Sequence, residues 1–210
     1  MQQAETFWDS AAENYAKSPI DDIDAYNYTL DRTRAYLSST DKVLEVGCGT
    51  GSTALLLAGA VDQITASDIS EKMISIATRK AQDEGISNVK FIAADLFDDA
   101  LSGGQYDAVL ALNLLHLIED TPEAIRRIHG LLKPGGTFIS KTVCKPEKGA
   151  PLKFRFLRLI VPVMQMLGKA PFVRFMAVNE FEKLVESHGF KILEAGNHPA
   201  PSRYIVAQKI

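Results

Sequence analysis

The chain has 210 residues, is 46% hydrophobic and 23% charged, and carries a net charge of −3. That length suits one globular domain with a real core, and the ordinary composition excludes disordered, collagen-like and disulfide-scaffold classes. With a sequence pI near 5.8 there is no overall basic footprint for nucleic acid, and two cysteines, Cys48 and Cys144, are too few for a disulfide framework or a zinc site.

The N-terminal residues, "MQQAETFWDSAAENYAKSP", lack the basic start and apolar run of a secretory signal. No stretch of about 20 residues is uninterruptedly apolar, as a membrane-spanning helix requires. A reducing, cytoplasmic setting is the expectation. The segments "TFWDSAAENYAKS" and "DAYNYTLDRTRAYLSS" read as helices and make residues 1–40 an N-terminal helical cap.

From residue 42 onward, short β-type runs alternate with helical patterns. The strands are "KVLEV" (42–46), "QITAS" (63–67), "VKFIA" (89–93), "DAVLAL" (107–112) and "TFISKTV" (137–143). Between them, "STALLLAGA" starts behind a glycine loop, and "SEKMISIATRKAQDEG" opens on a Ser70 cap and stops at Gly85. "TPEAIRRIHGLL" has Pro122 in its first turn and ends at a turn, "KPGG" (133–136). Strand and helix alternating in this way predict a parallel, doubly wound α/β sheet with helices on both faces. Later, "NEFEKLVESHGF" predicts a helix, followed by strands "KILEA" (191–195) and "RYIVAQK" (203–209). Only "GNHPAPS" separates this pair, too little for a helical crossover, so an antiparallel hairpin should close a seven-stranded sheet. No repeat or linker divides the chain. Residues 41–144 form the expected cofactor-binding core, 145–177 an inserted helical segment, and 178–210 the closing helix and hairpin.

In such a sheet, ligands lie outside the carboxyl ends of the strands. That rim carries Gly47 to Gly51 after the first strand, Asp68 after the second and Asp95 after the third. Asn113 to His116 follow the fourth strand and Cys144 the fifth. Each feature alone also fits a tight connection, a helix cap or a solvated carboxylate; their arrival on one rim in this order is the signal. Glycines allow a ligand to approach backbone N–H groups, and an acidic residue ending the second strand can accept two ribose hydroxyls. NAD(P) and S-adenosylmethionine both fit that far. The dinucleotide fingerprint G-x-G-x-x-G would place glycine at position 52, where Ser52 stands, and no lysine follows to make a P-loop.

"EVGCGTG", together with Asp68 in "SDIS", Asp95 in "AADLF" and "LLKPGG" before the fifth strand, closely resembles the class I S-adenosylmethionine-dependent methyltransferases. The resemblance spans roughly residues 7 to 208 and falls in the small-molecule branch, which includes quinone-ring and lipid-precursor methyltransferases. It implies that the Gly47, Cys48, Gly49 and Gly51 turn lies against the methionine part of S-adenosylmethionine, with Glu45 bracing the loop. It further implies that Asp68 takes the ribose hydroxyls and that Ile69 and Met73 pack on the adenine. Asp95 would accept from the adenine amino group, the Leu96 N–H would reach a ring nitrogen, and Asn113 would lie along the methionine moiety. Tyr15 matches an aromatic that closes over the cofactor. An NAD(P)-dependent oxidoreductase and a non-catalytic S-adenosylmethionine-binding protein are the alternatives.

A sulfonium methyl is already activated, so a general base is needed only for certain acceptors. His116 is the candidate, although a polar residue opening a loop or helix reads the same way. His129 and His188 fit structural roles, and His198 a solvated hairpin loop. After the fourth strand the chain has Asn113-Leu-Leu-His, not the Asn/Asp-Pro-Pro-aromatic run of nucleic-acid amino methyltransferases, and it has no Pro-Cys nucleophile motif. No metal is expected. The acceptor is expected to be a small, hydrophobic molecule, not nucleic acid, and the chain a monomer or homodimer.

The segment 145–174 holds seven Lys/Arg against one acidic residue, interleaved with Phe, Leu, Ile and Met. Within it, residues 152–174 fit an apolar lid over the site, a peripheral membrane contact or an oligomer interface.

Overall fold

A computed structural model of the chain describes residues 2–102, 105–146, 164, 165 and 170–210. Most of the proposed lid, 147–163 and 166–169, therefore lies outside the described residues.

Two helices, α1 (Gln2–Lys17) and α2 (Ile23–Ala35), precede the sheet. The sheet then alternates with helices. β1 (Lys42–Val46) leads to α3 (Ser52–Leu57), β2 (Gln63–Asp68) to α4 (Glu71–Asp83), and β3 (Val89–Ala93) to β4 (Tyr106–Leu112). After them come α5 (Thr121–Leu131), β5 (Leu132–Val143), α6 (Val178–Ser187), β6 (Phe190–Asn197) and β7 (Ser202–Lys209). The seven strands lie in the order β3-β2-β1-β4-β5-β7-β6. The first five are parallel, and β7 runs antiparallel to both β5 and β6. The fold is therefore the expected doubly wound sheet with a closing hairpin. Its order reverses between β1 and β4, which opens a crevice at their carboxyl ends.

Burial on both faces explains why the central strands are apolar throughout instead of alternating. Leu44, Val46, Val109 and Phe138 pack beneath α5 and α6 with Phe181 and Phe190. Val43, Ile64, Leu110, Ile139 and Tyr204 pack beneath α2 and α3 with Leu30 and Leu57. Each such side chain, fully buried, contributes about 1.5–3 kcal/mol. A third cluster joins α1 to α4 through Ala12, Met73 and Ile76, with Trp8 against it.

Local signals account for most boundaries. Ser70 caps α4 by accepting from the Met73 N–H, and Asp120 caps α5 by accepting from the Glu123 N–H, with proline in the first turn. Two boundaries differ from expectation. β5 begins at Leu132, because "KPGG" continues along β4 as an irregular edge: Tyr106 faces Leu132, and regular pairing resumes at Ala108 and Thr137. The hairpin strands also run further than their apolar cores suggest, leaving only residues 198–201 as the turn. His198 is not simply solvated there, since its ring lies tilted against Tyr28 with centroids 4.5 Å apart.

The helices are tied to the sheet by charge as well. Arg32 of α2 and Tyr36, just past its end, both donate to the Glu194 carboxylate on β6, and Arg203 of β7 donates to Glu182 of α6. No described helix is long and apolar enough to cross a membrane.

Candidate active site

The glycine turn leaves β1 and enters α3 with Gly47, Gly49 and Gly51 all in the left-handed region, at φ 69°, 54° and 75°. Sequence and space demand glycine for different reasons along it. A Cβ at Gly51 would come 2.7 Å from the Phe91 ring and 2.8 Å from Ala77 Cβ, and one at Gly47 would come 2.7 Å from Leu114. At Gly49 the nearest atom is on the Tyr15 ring at 3.6 Å, so the backbone there is open toward the ligand side. The turn is held by Cys48 N–H donating to Ser67 O at 2.9 Å and by Gly51 N–H donating to Cys48 O at 3.0 Å. From α4, Lys80 Nζ donates to Thr50 O and Thr50 Oγ1.

Asp68 fastens the turn to β2. Its Oδ2 accepts from Gly49 N–H at 2.8 Å and its Oδ1 from Ser70 N–H at 2.9 Å. Each carboxylate oxygen has a second acceptor position, so ribose hydroxyls can still be taken. Burial pushes the Asp68 carboxyl above its ordinary value, with the Ser70 and Gly49 amides pulling the other way. Glu45 lies beneath the turn, fully buried. Its carboxyl is pushed up to about 8 by burial and by the nearby Asp68 charge, against a backbone hydrogen bond from Ala54. Its Oε2 has no hydrogen-bond partner among the described residues. Protonated at neutral pH, Glu45 supports the loop without adding a second charge beside Asp68.

A cavity of about 460 Å³ opens over this turn. Gly47, Gly49, Asp68, Ile69, Met73, Asp95, Leu96, Asn113 and Tyr15 all lie on its wall. Glu45, Cys48 and Gly51 do not; they shape the turn from behind. Asp95 Oδ1 accepts from the Phe97 N–H at 2.7 Å, which turns the chain after β3. The Tyr15 ring stands edge-on to Trp8, with centroids 6.3 Å apart, on the α1 side of the mouth. Leu117, Ile118 and Phe172 also line the cavity, with Glu119 and Asp120 beside them.

His116 is not on this wall. It sits in the short 3₁₀ turn Leu115–Leu117, between the cavity-lining Leu114 and Leu117, and its backbone oxygen accepts from the Arg174 N–H at 2.7 Å. Its Nδ1 is covered and has no partner among the described residues, and burial pulls the imidazole down to about 4. The expected general base is therefore absent from the cavity lining, where Leu114 and Leu117 on either side of it stand instead.

Several contributors carry no local sequence signal. Asp9 of α1 accepts from Ser70 Oγ at 2.6 Å and so docks the N-terminal helix at the site. Arg127 of α5 donates to Leu96 O and Asp98 O, holding the loop that bears Asp95. Trp8, Phe97 and Phe172 complete the wall. All depend on contacts between residues distant in sequence. Among the described residues, no group of three or more His, Cys, Asp or Glu is placed to hold a metal.

These residues fit S-adenosylmethionine on the structure's own terms. The open backbone at Gly49 accommodates close approach, Asp68 and Asp95 offer acceptors at two points along the cavity, and Ile69 and Met73 offer apolar surface between them.

Comparison with known proteins agrees. Residues 43–136 match a family described as a methyltransferase domain. An uncharacterized methyltransferase of Mycobacterium bovis is 38% identical over 109 residues, covering 51% of this chain and 53% of the relative. The chain thus spans about half the length of that relative. A ubiquinone biosynthesis O-methyltransferase of Thiobacillus denitrificans is 26% identical over 192 residues, covering 91% of this chain and 80% of the relative. The crystal structure of magnesium protoporphyrin IX methyltransferase from Synechocystis PCC 6803, with S-adenosylhomocysteine bound, superposes with a TM-score of 0.73. It is 23% identical and covers 98% of both chains, a likeness of fold. With the glycine turn, the two carboxylates and the strand order, these matches make residues 43–136 a methyltransferase domain and support the class I S-adenosylmethionine-dependent methyltransferase family.

Proposed function

We propose that this protein transfers the methyl group of S-adenosylmethionine, by in-line displacement, to a small acceptor with an apolar body. The observation that carries the reading is the cavity that Gly49, Asp68 and Asp95 line together with the apolar Leu117, Ile118 and Phe172. Bound there, the cofactor supplies a methyl group already activated by a positive sulfur. The chain's work is then to hold two molecules in near-attack geometry and to keep water out. Asp68, tied to the Gly49 and Ser70 amides, fixes the ribose at the middle of the cofactor, and Asp95 its adenine end. Asn113, at the end of β4, stands between them and the acceptor side.

The acceptor side of the cavity is Leu117, Ile118 and Phe172. Phe172 belongs to the segment read as a lid, and its place on the wall supports that reading over a membrane or oligomer contact. The name of the Thiobacillus relative, a ubiquinone biosynthesis O-methyltransferase, favours a small-molecule acceptor. No general base is assigned, since His116 does not line the cavity. An NAD(P)-dependent oxidoreductase is disfavoured by the glycine spacing and by the family match.

Calorimetric titration with S-adenosylhomocysteine, with NAD and NADP as controls, tests the cofactor. Micromolar binding of S-adenosylhomocysteine alone is expected; binding of NAD or NADP in its place would overturn the reading. A screen for label transfer from methyl-labelled S-adenosylmethionine then tests the acceptor class.

A further inference from the structure

Among the described residues, Lys141 is a largely buried lysine that the cofactor site does not use. Lys141 lies near the carboxyl end of β5, opposite Leu112 of β4. Side chains along a strand alternate between faces. Phe138 belongs to the core beneath α5 and α6 and Ile139 to the core beneath α2 and α3. Lys141, two residues after Ile139, therefore turns toward α2.

There it is only 9% exposed. With Tyr26, Thr29, Thr33, Thr53 and Asn113 it lines a second cavity, of about 30 Å³. The hydroxyls around it already have partners. Tyr26 and Thr53 hydrogen-bond to each other at 3.1 Å, Thr29 Oγ1 donates to Ala25 O, and Thr33 Oγ1 donates to Thr29 O. Lys141 Nζ has neither a hydrogen bond nor an ion pair among the described residues. The carboxylate whose charge it feels is Asp22, which is engaged in capping α2 through the Ala25 N–H. Burial pulls the ammonium below its ordinary value. A partly desolvated ammonium with no ion-pair partner gains from a carboxylate brought into hydrogen-bond contact with it.

The small cavity adjoins the large one, because Leu112 and Asn113 line both. Asn113 is at φ 60°, the sole non-glycine in the left-handed region among the described residues, and its N–H donates to Lys141 O at 2.7 Å. Backbone strain of this kind persists where the surroundings enforce it, often beside a ligand. Here it ties the wall between the cavities to the backbone of Lys141. A space of this size admits about two water-sized groups. That matches the two oxygens of a carboxylate and is too small for a phosphate or a whole acceptor.

We propose that Lys141 binds a carboxylate of the methyl acceptor in this chamber, with the acceptor's apolar body in the adjoining cavity. The proposal rests on the methyltransferase reading and narrows its acceptor to an apolar carboxylic acid.

The test uses the full chain loaded with S-adenosylhomocysteine. Benzoate and octanoate are titrated calorimetrically against benzamide and octanamide, in the wild type and in Lys141→Met, which keeps an unbranched stem without the charge. Wild-type protein carrying [¹³Cε]lysine is followed by NMR in parallel, so the result does not depend on how the variant folds. At least one carboxylate should bind roughly ten-fold more tightly than its amide, and its binding should shift the Lys141 resonance. Lys141→Met should lose the preference while keeping its S-adenosylhomocysteine affinity. Equal binding of acid and amide, no binding of either acid, or a preference that survives in Lys141→Met would overturn the proposal. If S-adenosylhomocysteine itself fails to bind the wild type, the methyltransferase reading falls. The same titrations on unloaded protein then decide separately whether the chamber selects carboxylates.

Discussion

The two halves of the strand rim are built on different terms. On the β1, β2 and β3 side, each ligand-facing residue ends its strand or sits within five positions beyond it, and is fixed by the turns there: Asp68 by Gly49 and Ser70, Asp95 by Phe97. On the β4 and β5 side, residues from α2, α3, β4 and β5 converge around Lys141, and Phe172 reaches the cavity from a segment outside the sheet. The first side is a local motif repeated from strand to strand. The second exists only after the chain has folded. One arrangement suits a cofactor common to many enzymes, the other an acceptor peculiar to one.

The largest expected effect tests that division. Deleting 152–168 should abolish transfer to the true acceptor while S-adenosylhomocysteine still binds; retained turnover would show the segment is no lid. On the cofactor side, pH should matter more than sequence distance suggests. Glu45 has its proton held up to about 8 against an ordinary value of 4.5. Between those values the unfolded chain ionises while the folded chain keeps its proton, so folding stability should fall as pH rises from 4.5 to 8 and level off above. At about 1.4 kcal/mol for each tenfold fall in proton concentration across that window, the excursion amounts to several kcal/mol. Glu45→Gln should flatten it, as read by denaturant titration at pH 5 and pH 8.5.

The glycine turn separates packing from binding. Gly51→Ala forces a Cβ into Phe91 and Ala77 at positive φ and should cost roughly 3 kcal/mol of stability. Gly49→Ala meets only the Tyr15 ring, so its stability cost should be about 1 kcal/mol, with the greater loss in cofactor affinity. Equal thermal shifts in the two variants would contradict this asymmetry. Asp68→Ala should weaken S-adenosylhomocysteine by roughly 100-fold, about 2.7 kcal/mol, through loss of charged hydrogen bonds. Unchanged affinity would remove the ribose assignment. The smallest effect belongs to Tyr15, exposed at the mouth: Tyr15→Ala should weaken binding by about five-fold, near 1 kcal/mol.

Legibility followed the same division. The β–α alternation, the Ser70 cap, the closing hairpin and the glycine turn all follow from short-range patterns, and the structure places Asp68, Ile69, Met73, Asp95, Leu96 and Asn113 on one wall. His116 was the exception on this rim. Its position after β4 predicts an inward base, but Leu114 and Leu117 on either side of it line the cavity and it does not. Lys141 carried no signal at all, since a lysine within "TFISKTV" reads as an ordinary strand residue.

What the sequence determined by itself is whatever periodicity, capping and glycine spacing encode over a few residues: the order of strands and helices, and the cofactor end of the rim. Only the tertiary structure decided which buried polar groups face a shared space. Strand alternation assigns a side chain to one face of the sheet, but whether that face is filled or hollow depends on helices that arrive from elsewhere in the chain. Lys141 became a candidate for acceptor binding because α2 packs over β5 and leaves a gap there.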